Sequence, residues 1–491
     1  MARRPNIILI LSDNHPAELL GCYGNSECQT PHLDRLAAQG LRFDQAYSVN
    51  AMCSPCRATI LTGLIPSQHG IHTWLDDRLM DRWPPDWNAI AEFVTLPELL
   101  KQHGYRTALI GKYHLGVPDE PQNGFDYWLT FPLGHTRSFW NNTIIDNGQR
   151  YTYAGHVVDC FTEKAVAYIR EQATTGSQPF FLYLPYNAPY GHWPSIQGPA
   201  RNRFAARYAE TPMHSIPREG LSRAAIERFL LRRAASGGGI DYSAHLRLPN
   251  DLTSLRNYFS QMSMVDEGVG RVLAALAESG LEDETLVIYS CDHGFSLGHH
   301  GFWGHGQATW PANAHRQAYH VGLLARHPGH IAPGGRTAAL VGQADLFATL
   351  LDYVGLGDVQ ANPDSPGRSF APLLRGERLS WPADEVFIEQ EELRALRTSE
   401  WLYMRRFQGS ETYPLADALF DLTADPHERR DLIAQPAYAE TVRTLRQRVD
   451  AYYERFAQPR YDLWQGGSLK SNTDKPWLWR DVWGEKWRPV F

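Results

Sequence analysis

Short runs of apolar residues recur along the chain, and segments with helical periodicity lie between them. These runs have the length of strands; they are Ile7 to Leu11, Thr107 to Gly111, Phe180 to Leu184 and Leu286 to Ser290. Amphipathic spacing predicts helices near residues 31–39, 95–103 and 261–279. Continuous apolar strands that alternate with helices indicate an α/β fold, in which helices cover both faces of a large, mostly parallel sheet.

The pattern changes near residue 372, where short strand-like segments and one helical segment (437–456) follow. We therefore predict a large α/β domain over residues 1–371 and a smaller C-terminal α+β subdomain over residues 372–461. The last segment, 462–491, carries five tryptophans without clear periodicity. It is expected to pack as an aromatic arm on its own domain or on a neighbouring subunit, which is consistent with a homo-oligomer.

Polar and ionisable residues come directly after three of the predicted strands. Ser12-Asp13-Asn14 follows the first strand, Lys112-Tyr113-His114 follows another, and Cys291-Asp292-His293 follows the last. Because parallel strands end at the same edge of a sheet, where open α/β sheets bind ligands, these groups are expected to share one site. A single group of this kind is more often a loop that faces water. Three groups at corresponding positions indicate a function.

The composition of the chain limits the binding partners and the cellular compartment that we expect. A net charge of −7 argues against nucleic acid or an anionic membrane as the main partner. No stretch is apolar for long enough to span a bilayer. The apolar run that ends at Leu11 is too short for a signal peptide, so we interpret it as a strand of the fold. The six cysteines are too sparse for a disulfide framework, and we predict a cytoplasmic location.

The segment from Cys53 to Gly63 can be interpreted in several ways. Cys-x-x-Cys at the start of a helix is typical of a redox dithiol. Alternatively, Cys53 and Cys56 could join Cys22 and Cys28 in a zinc site, although the spacing of the second pair is unusual for zinc. A third interpretation is two buried cysteines without chemistry. None of the three accounts for Arg57 or for the Thr-Gly that closes the segment.

A fourth interpretation accounts for the whole segment. Cys-x-Pro-x-Arg followed by Thr-Gly is the signature of the type I sulfatases, formylglycine-dependent members of the alkaline phosphatase superfamily, and this segment resembles it. Other segments resemble further motifs of that family: Asn6 to Asp13, Thr30 to Leu36, Gly111 to Gly116, Cys291 to Gly294, and Ala418 to Glu428. The resemblance spans residues 6–455 and implies an alkaline phosphatase-like fold.

In that family a separate formylglycine-generating enzyme oxidises the cysteine, and the hydrated aldehyde then attacks sulfur. The resemblance implies catalytic roles for Cys53, Arg57, Lys112, His114, His192 and His305. It implies substrate contacts from Lys112, His192 and His305, with His192 as the general acid. One divalent metal is expected on Asp13, Asn14, Cys53, Asp292 and His293. Mostly oxygen ligands favour Ca²⁺, whereas a histidine ligand also admits Mn²⁺ or Mg²⁺.

Three positions depart from the family pattern. Many relatives have an aspartate where Asn14 stands and an amide where His293 stands. They usually have a lysine where His305 stands, in contact with sulfate and the leaving oxygen. A protonated His305 would make that contact pH-dependent. We hypothesise that Arg316 replaces the missing charge as a substrate-binding residue.

The expected function is hydrolysis of a small-molecule or saccharide sulfate ester to an alcohol and inorganic sulfate. The alternative is a phosphonate monoester or phosphodiester hydrolase, since these enzymes share the superfamily and the cysteine motif. The residues Asn14 and His293 favour this alternative to some extent. An inactive binder of a sulfated ligand is a further alternative, although a binder needs no aldehyde precursor. Specificity is expected to lie in loops 75–92, 136–153 and 194–250.

Overall fold

The computed structural model describes residues 4–75, 77–176, 178–220, 250–306, 309, 311–359, 361–408 and 415–470, together with 479, 482–484, 487 and 490. Residues 221–249, which belong to one predicted specificity loop, and most of the predicted aromatic arm beyond residue 470 lie outside the described residues. In the part of the chain that is described, no helix has both the length and the apolar character needed to cross a membrane.

The strands, in chain order, are β1 (Asn6–Asp13), β2 (Leu41–Tyr47), β3 (Arg106–Ile110), β4 (Tyr127–Thr130), β5 (Trp140–Asp146), β6 (Gln149–His156), β7 (Phe180–Pro189), β8 (Thr285–Cys291), β9 (Ser296–Leu297), β10 (Trp303–Gly304), β11 (Leu323–Arg326), β12 (Gly335–Gly342), β13 (Glu385–Gln390), β14 (Leu393–Thr398), β15 (Trp401–Arg406) and β16 (Ala418–Asp421).

The α-helices are α1 (Pro31–Ala38), α2 (Cys53–Thr62), α3 (Pro66–His69), α4 (Leu96–Gln102), α5 (Val157–Thr175), α6 (Ala205–Tyr208), α7 (Leu252–Glu278), α8 (Arg316–Tyr319), α9 (Gln343–Tyr353), α10 (Ala371–Leu374) and α11 (Ala439–Phe456).

Ten strands of the described residues form one sheet in the order β12-β2-β11-β8-β1-β7-β3-β4-β5-β6. Both faces of this sheet are buried, as β1 shows: Ile8 and Ile10 belong to one hydrophobic core, and Ile7, Leu9 and Leu11 to another. Helices α5 and α7 pack in the first core, and α2, α4 and α9 pack in the second. The predicted helix-covered α/β sheet is confirmed.

The five central strands, β8-β1-β7-β3-β4, are parallel, so their carboxyl ends meet at one edge. Pairing places Ser12 beside Cys291 and Asp13 beside Pro189. The polar residues that follow β1, β3 and β8 are therefore neighbours in space, as the sequence predicted. This edge carries the candidate site.

The flanking strands make the sheet more mixed than the sequence pattern suggested. Strand β11 runs antiparallel to both β2 and β8, and β5 runs antiparallel to its two neighbours, β4 and β6. The β5–β6 hairpin turns at Asn147 and Gly148, both of which have positive φ (47° and 81°). An Asn-Gly pair of this kind favours the tight turn that joins antiparallel strands.

A second, antiparallel sheet of four strands, β13-β14-β15-β16, forms the smaller C-terminal subdomain, against which α11 packs. The described residues of the predicted arm pack on this same chain. Leu463, Leu469, Trp479 and Trp487 form a small core. Lys470 Nζ donates to the carbonyl oxygen of Ala89 at 2.8 Å.

Candidate active site

Cys53 is the first residue of α2, and it lies at the carboxyl edge of the parallel strands. Its Sγ atom is 3.2 Å from Lys112 Nζ, 3.3 Å from His293 Nε2 and 3.6 Å from Asp13 Oδ1. All ten residues of α2 are buried, and Gly63 ends the helix with φ +73°. The unpaired N–H groups at the start of a helix favour an anion next to this side chain.

The surroundings of Cys53 argue against redox and zinc chemistry. Burial, followed by the negative charge of Asp13, raises the pKa of the Cys53 thiol well above its usual value. Burial also raises that of Cys56, whose Sγ lies 3.0 Å from the carbonyl oxygen of Asn50. A redox dithiol needs a lowered thiol pKa. All six cysteines are free, and Cys28 lies against the sulfur of Met262 instead of joining Cys53.

Arg57 holds Asp13, the last residue of β1, and Asp292, which directly follows β8. It is one helical turn after Cys53 and fully buried. Its Nη2 lies 2.8 Å from Asp292 Oδ2 and 3.2 Å from Asp13 Oδ2. Its Nη1 donates to the carbonyl oxygen of Lys112 at 2.7 Å. The rigid fork of donors therefore fixes three strand ends relative to the nucleophile helix.

Lys112 is the second buried cation of the site, after Arg57. Its Nζ lies 2.5 Å from Asp13 Oδ2 and 5.3 Å from the centre of the Tyr190 ring. Burial raises the pKa of Asp13, but the charges of Lys112 and Arg57 outweigh that effect and lower it to about 2. Two buried cations thus face the two buried carboxylates of Asp13 and Asp292.

The donor set of this edge fits a divalent metal. One ligand atom from each of Asp13, Cys53, Asp292 and His293 lies within 4.8 Å of the others, and all four residues are buried. His293 Nδ1 is 2.8 Å from the carbonyl oxygen of Gly294, so the Nε2 lone pair faces Cys53. Metal-binding histidines are usually oriented by such a second hydrogen bond.

Asn14 lies beside this set in a left-handed backbone conformation, with φ 61°. Its side-chain amide spans Asp13 Oδ1 at 2.8 Å and the backbone N–H of Gly191 at 3.2 Å. In one amide orientation its nitrogen donates to Asp13, and in the other its oxygen faces the same space as the carboxylate. The second orientation adds an oxygen ligand for a cation.

His305 packs against His293, and His192 packs against His305. The ring centres of His192 and His305 are 4.6 Å apart, and His305 lies 4.2 Å from the ring of His293. Burial, followed by the neighbouring His293 and His192, lowers the pKa of His305 well below its usual value. This shift argues against the cationic role that the sequence comparison with a lysine suggested for His305. His192 is half-buried and also contacts Phe295.

His114 lies past the end of β3, also with positive φ (59°). Its Nε2 is 2.7 Å from the carbonyl oxygen of Leu75, which is its described hydrogen bond. Its ring contacts His135 at 5.5 Å. A Cβ atom on Gly134 would come within 2.0 Å of that ring, so glycine is needed there. The predicted contact of His114 with the nucleophile stays a prediction.

Some neighbours of the site were not predicted from the sequence. The ring of His135 contacts those of Trp74, His114 and Tyr190 at 5.5–6.5 Å. Tyr190 stands directly before Gly191 and His192 in the sequence and could have been noticed there. His135 carries no pattern that would single it out.

Arg316 points to a different part of the molecule. Its Nη2 lies 3.1 Å from His320 Nδ1, and its backbone N–H donates to Glu428 Oε2 at 3.2 Å. These contacts give no support to the hypothesis that Arg316 replaces the family lysine. That role stays untested.

His300, His315 and Glu428 form a second group of potential ligands. Together with Arg397, which pairs with Glu428, we call them the Glu428 cluster. Arg397 Nη2 contacts Glu428 Oε1, and His315 Nδ1 lies 2.8 Å from Oε2. The rings of His300 and His315 stack at 3.8 Å with 9° between their planes. Both carboxylate oxygens already have donors, so the Glu428 cluster is better described as an internal ion pair than as a metal site.

Comparison with known proteins decides the family. The family model described as Sulfatase matches residues 5–356, and the model described as N-sulphoglucosamine sulphohydrolase, C-terminal, matches residues 311–455. The chain belongs to the sulfatase family. An N-acetylglucosamine-6-O-sulfatase of Bacteroides thetaiotaomicron is 26% identical to this sulfatase, over 91% of this chain and 86% of the relative. The family and its relatives make the protein a sulfuric ester hydrolase.

Two solved structures show how widely this fold is shared. One, described as a complex with its substrate D-glucosamine-2-N,6-O-disulfate, has a TM-score of 0.71 and 25% identity to this sulfatase, and the match covers 92% of this chain and 98% of that one. The phosphonate monoester hydrolase of Agrobacterium radiobacter has a TM-score of 0.67 at 20% identity, over 92% and 96% of the two chains. The second likeness shows the alkaline phosphatase-like fold alone.

Proposed function

We propose that this sulfatase hydrolyses a sulfate ester with a formylglycine made from Cys53 as its nucleophile and with one divalent metal. The observation that carries the proposal is the position of Cys53. Its sulfur stands at the start of a buried helix, 3.2 Å from an ammonium group and 3.3 Å from an imidazole lone pair. Two buried carboxylates lie beside it.

The thiol itself is a poor candidate for the nucleophile. Its raised pKa keeps it protonated at neutral pH, and a thiol–sulfate adduct has no internal route to release sulfate. A formylglycine hydrate supplies an oxygen nucleophile and, when its second hydroxyl loses a proton, releases sulfate by restoring the aldehyde. A formylglycine-generating enzyme is therefore a necessary partner for maturation.

We propose that Asp13, Asn14, Asp292 and His293 hold the metal together with the side chain at position 53. When bound, a divalent metal supplies positive charge that stabilises the sulfuryl oxygens in the transition state. Three residues offer oxygen ligands, which suits Ca²⁺, and His293 adds a nitrogen that Mn²⁺ also accepts. Ca²⁺ remains our first expectation, with Mn²⁺ or Mg²⁺ as the alternatives.

The remaining residues position groups and move protons. Arg57 fixes both aspartates, and Lys112 faces the nucleophile where sulfate charge develops. His192 is the proposed general acid for the leaving oxygen. His114 is proposed to orient or deprotonate the hydrate through Nδ1, since the carbonyl oxygen of Leu75 accepts from Nε2.

The charge balance favours a substrate with one negative charge. The four buried charges of Asp13, Asp292, Arg57 and Lys112 cancel. A divalent metal then adds two positive charges, which a singly charged ester and a deprotonated nucleophile match. Sulfate monoesters meet this condition and phosphate monoesters do not. The substrates named for two similar proteins are amino-sugar sulfates, so we propose a saccharide or small-molecule sulfate ester.

Phosphodiesters and phosphonate monoesters carry one negative charge as well, so the balance alone does not exclude them. The likeness to a phosphonate monoester hydrolase supports this alternative at the level of the fold only. The further alternative, an inactive binder of a sulfated ligand, does not explain why the proposed nucleophile and the ligand atoms converge. The cytoplasmic location and a homo-oligomer stay predictions.

The test is kcat/KM for an aryl sulfate and for an aryl phosphodiester, with protein co-produced with a formylglycine-generating enzyme and supplied with Ca²⁺ or Mn²⁺. The Cys53→Ala variant is the blank. We expect faster Cys53-dependent turnover of the sulfate. Faster turnover of the diester would transfer the protein to the phosphoester alternative, and binding of sulfate esters without any Cys53-dependent turnover would favour the inactive binder.

A further inference from the structure

Gln343, the first residue of α9, is a buried polar residue that none of the proposed catalytic steps uses. It is 2% exposed. Its Nε2 atom lies 2.5 Å from the carbonyl oxygen of Asp292 and 3.2 Å from that of Cys291. Its Oε1 atom accepts from the backbone N–H of Val49 at 3.3 Å. The donor end of the amide therefore goes to the end of β8, and the acceptor end goes to the segment before α2.

The carbonyl oxygen of Asp292 belongs to the peptide group that joins Asp292 to His293, and both residues are proposed metal ligands. The N–H of the same peptide group donates to Asp292 Oδ1 at 2.9 Å. A peptide group is planar, so a hydrogen bond that holds its oxygen also sets the direction of the backbone on either side. A rotation of this group would move both ligand side chains at once.

Three different neighbours hold Asp292. Its backbone N–H donates to the carbonyl oxygen of Ser12 at 3.1 Å, which ties it to β1. Arg57 Nη2 lies 2.8 Å from its carboxylate. Gln343 holds its carbonyl oxygen, on the side of the residue that leads to His293. The first two contacts fix where Asp292 stands, and the third fixes how the chain continues to the second ligand.

The contact with Val49 links the same amide to the nucleophile. Val49 lies in the connection from β2 to α2, and Cys53 is the first residue of α2. Gln343 therefore joins the segment that carries the nucleophile to the peptide group between two ligands. A leucine could fill a similar volume, but it would leave these buried backbone groups without the amide as a partner, which is costly.

We propose that Gln343 is a positioning residue that raises the affinity of the site for its divalent metal by fixing the Asp292–His293 peptide group. The inference rests on the proposed function, which includes that metal. The amide is occupied by backbone groups at both ends, so Gln343 acts through the ligands and not as one of them. Loss of a hydrogen bond that orients metal ligands typically costs about 10- to 100-fold in metal affinity.

The experiment measures metal affinity directly. Wild type, Gln343→Met and Gln343→Asn are matured to the same aldehyde fraction, stripped of metal with a chelator, and titrated with CaCl₂ and with MnCl₂ by calorimetry. Methionine keeps the length of the side chain and removes its hydrogen bonds, whereas asparagine keeps the amide on a shorter side chain. Chemical denaturation of the metal-free proteins gives the stability of each variant.

The matched control is Gln68→Met. Gln68 is also 2% exposed. Its Nε2 donates to the carbonyl oxygen of Asp364 at 2.7 Å, and its Oε1 accepts from the backbone N–H of Ile65 at 3.1 Å. It joins two backbone segments in the same way, but its partners are not proposed ligands. Gln68→Met therefore reports the general cost of losing such an amide.

The dissociation constant of the metal is expected to rise about tenfold or more in Gln343→Met and in Gln343→Asn. It should stay within about twofold of wild type in Gln68→Met, even if that variant loses as much stability. Excess metal should restore the turnover of the Gln343 variants to within about threefold of wild type, because the defect is one of metal occupancy.

Unchanged dissociation constants in both Gln343 variants would overturn the inference, whatever their turnover. An equal rise in Gln68→Met would also overturn it, since metal affinity would then follow overall stability. Both outcomes leave the proposed function standing. If Gln343→Met fails to fold, Gln343→Asn and the control still decide. A wild type that binds neither metal and shows no Cys53-dependent sulfate release would contradict the proposed function and this inference together.

Discussion

Two buried clusters of histidines and carboxylates look alike in the sequence and differ in their chemistry. In the active site, the lone pair of His293, the ammonium of Lys112 and two carboxylates converge on Cys53. In the Glu428 cluster, Arg397 and His315 donate to the two oxygens of Glu428, and two imidazoles stack on each other. The active site therefore keeps lone pairs that can bind a metal, whereas both carboxylate oxygens of Glu428 already accept hydrogen bonds.

The difference teaches what distinguishes a reactive centre from an internal support. Both clusters combine imidazole, carboxylate and a buried cation, although His300 is only half-buried. The two clusters differ in how their polar atoms are used. In the Glu428 cluster the donors and acceptors pair with one another, whereas in the active site several ligand atoms converge on the side chain of Cys53. The Glu428 cluster joins the C-terminal subdomain to the segment 315–318, whose backbone accepts from Gly294 and Phe295, next to the proposed metal ligands Asp292 and His293. We therefore expect stability effects there and activity effects at Cys53.

The largest expected effect is the loss of turnover in Cys53→Ala. Sulfate release should fall by a factor of about 10⁴ or more, because no neighbouring group replaces the nucleophile. The matched control is Cys56→Ala, three residues later on the same buried helix. It should keep turnover within a few fold. Equal losses in both variants would mean that α2 is disturbed and that Cys53 has no special role.

Removal of the metal should have the next largest effect. Dialysis against a chelator is expected to lower turnover by a factor on the order of 10³, since several kcal/mol of transition-state stabilisation are lost. Metal per chain, measured by elemental mass spectrometry, should drop in Asp292→Asn and stay unchanged in Glu428→Gln. Loss of metal in Glu428→Gln but not in Asp292→Asn would assign the ion to the Glu428 cluster and contradict the proposed metal site.

Glu428→Gln should mainly destabilise the fold. Because Glu428 and Arg397 are both buried, the unpaired guanidinium is expected to cost about 3 kcal/mol of unfolding free energy. Chemical denaturation measures this cost, and Glu400→Gln, at an exposed position in the turn between β14 and β15, is the control. Turnover of the folded variant should stay within about threefold of wild type. A stable but inactive Glu428→Gln would show that this cluster takes part in the chemistry.

The smallest effect is a pH dependence of that stabilisation. Burial raises the pKa of Glu428, but Arg397 and His315 outweigh burial and hold it below its ordinary value of 4.5. A carboxyl with a lowered folded-state pKa contributes stability above its unfolded pKa and loses it as the pH falls. The difference in unfolding free energy between wild type and Glu428→Gln should therefore shrink below about pH 4.5. A difference that grows on acidification would contradict the ion pair.

Much of the fold and the position of the site could be predicted from the sequence. The apolar run at Ile7 to Leu11 lies within β1, and the polar groups after β1, β3 and β8 meet at one edge because the central strands are parallel. The antiparallel flanks were not predicted, because partner choice among edge strands depends on distant chain segments such as β11.

Side-chain direction was the part of the site that the sequence could not supply. The sequence suggested that Arg316 contacts the substrate, yet its guanidinium lies next to His320. The proton position on His305 depends on the carbonyl of Ala51, more than 250 residues away. Such contacts arise from the packing of whole elements, and no local pattern records them.

The central claim is that an aldehyde made from Cys53 performs the attack on sulfur. The most direct test measures, in one series of preparations with increasing co-production of the formylglycine-generating enzyme, the fraction of aldehyde at position 53 by peptide mass spectrometry and the rate of sulfate release. The account predicts a rate proportional to the aldehyde fraction, with no release from protein that holds only the thiol. Full turnover from protein in which Cys53 remains a thiol would contradict it.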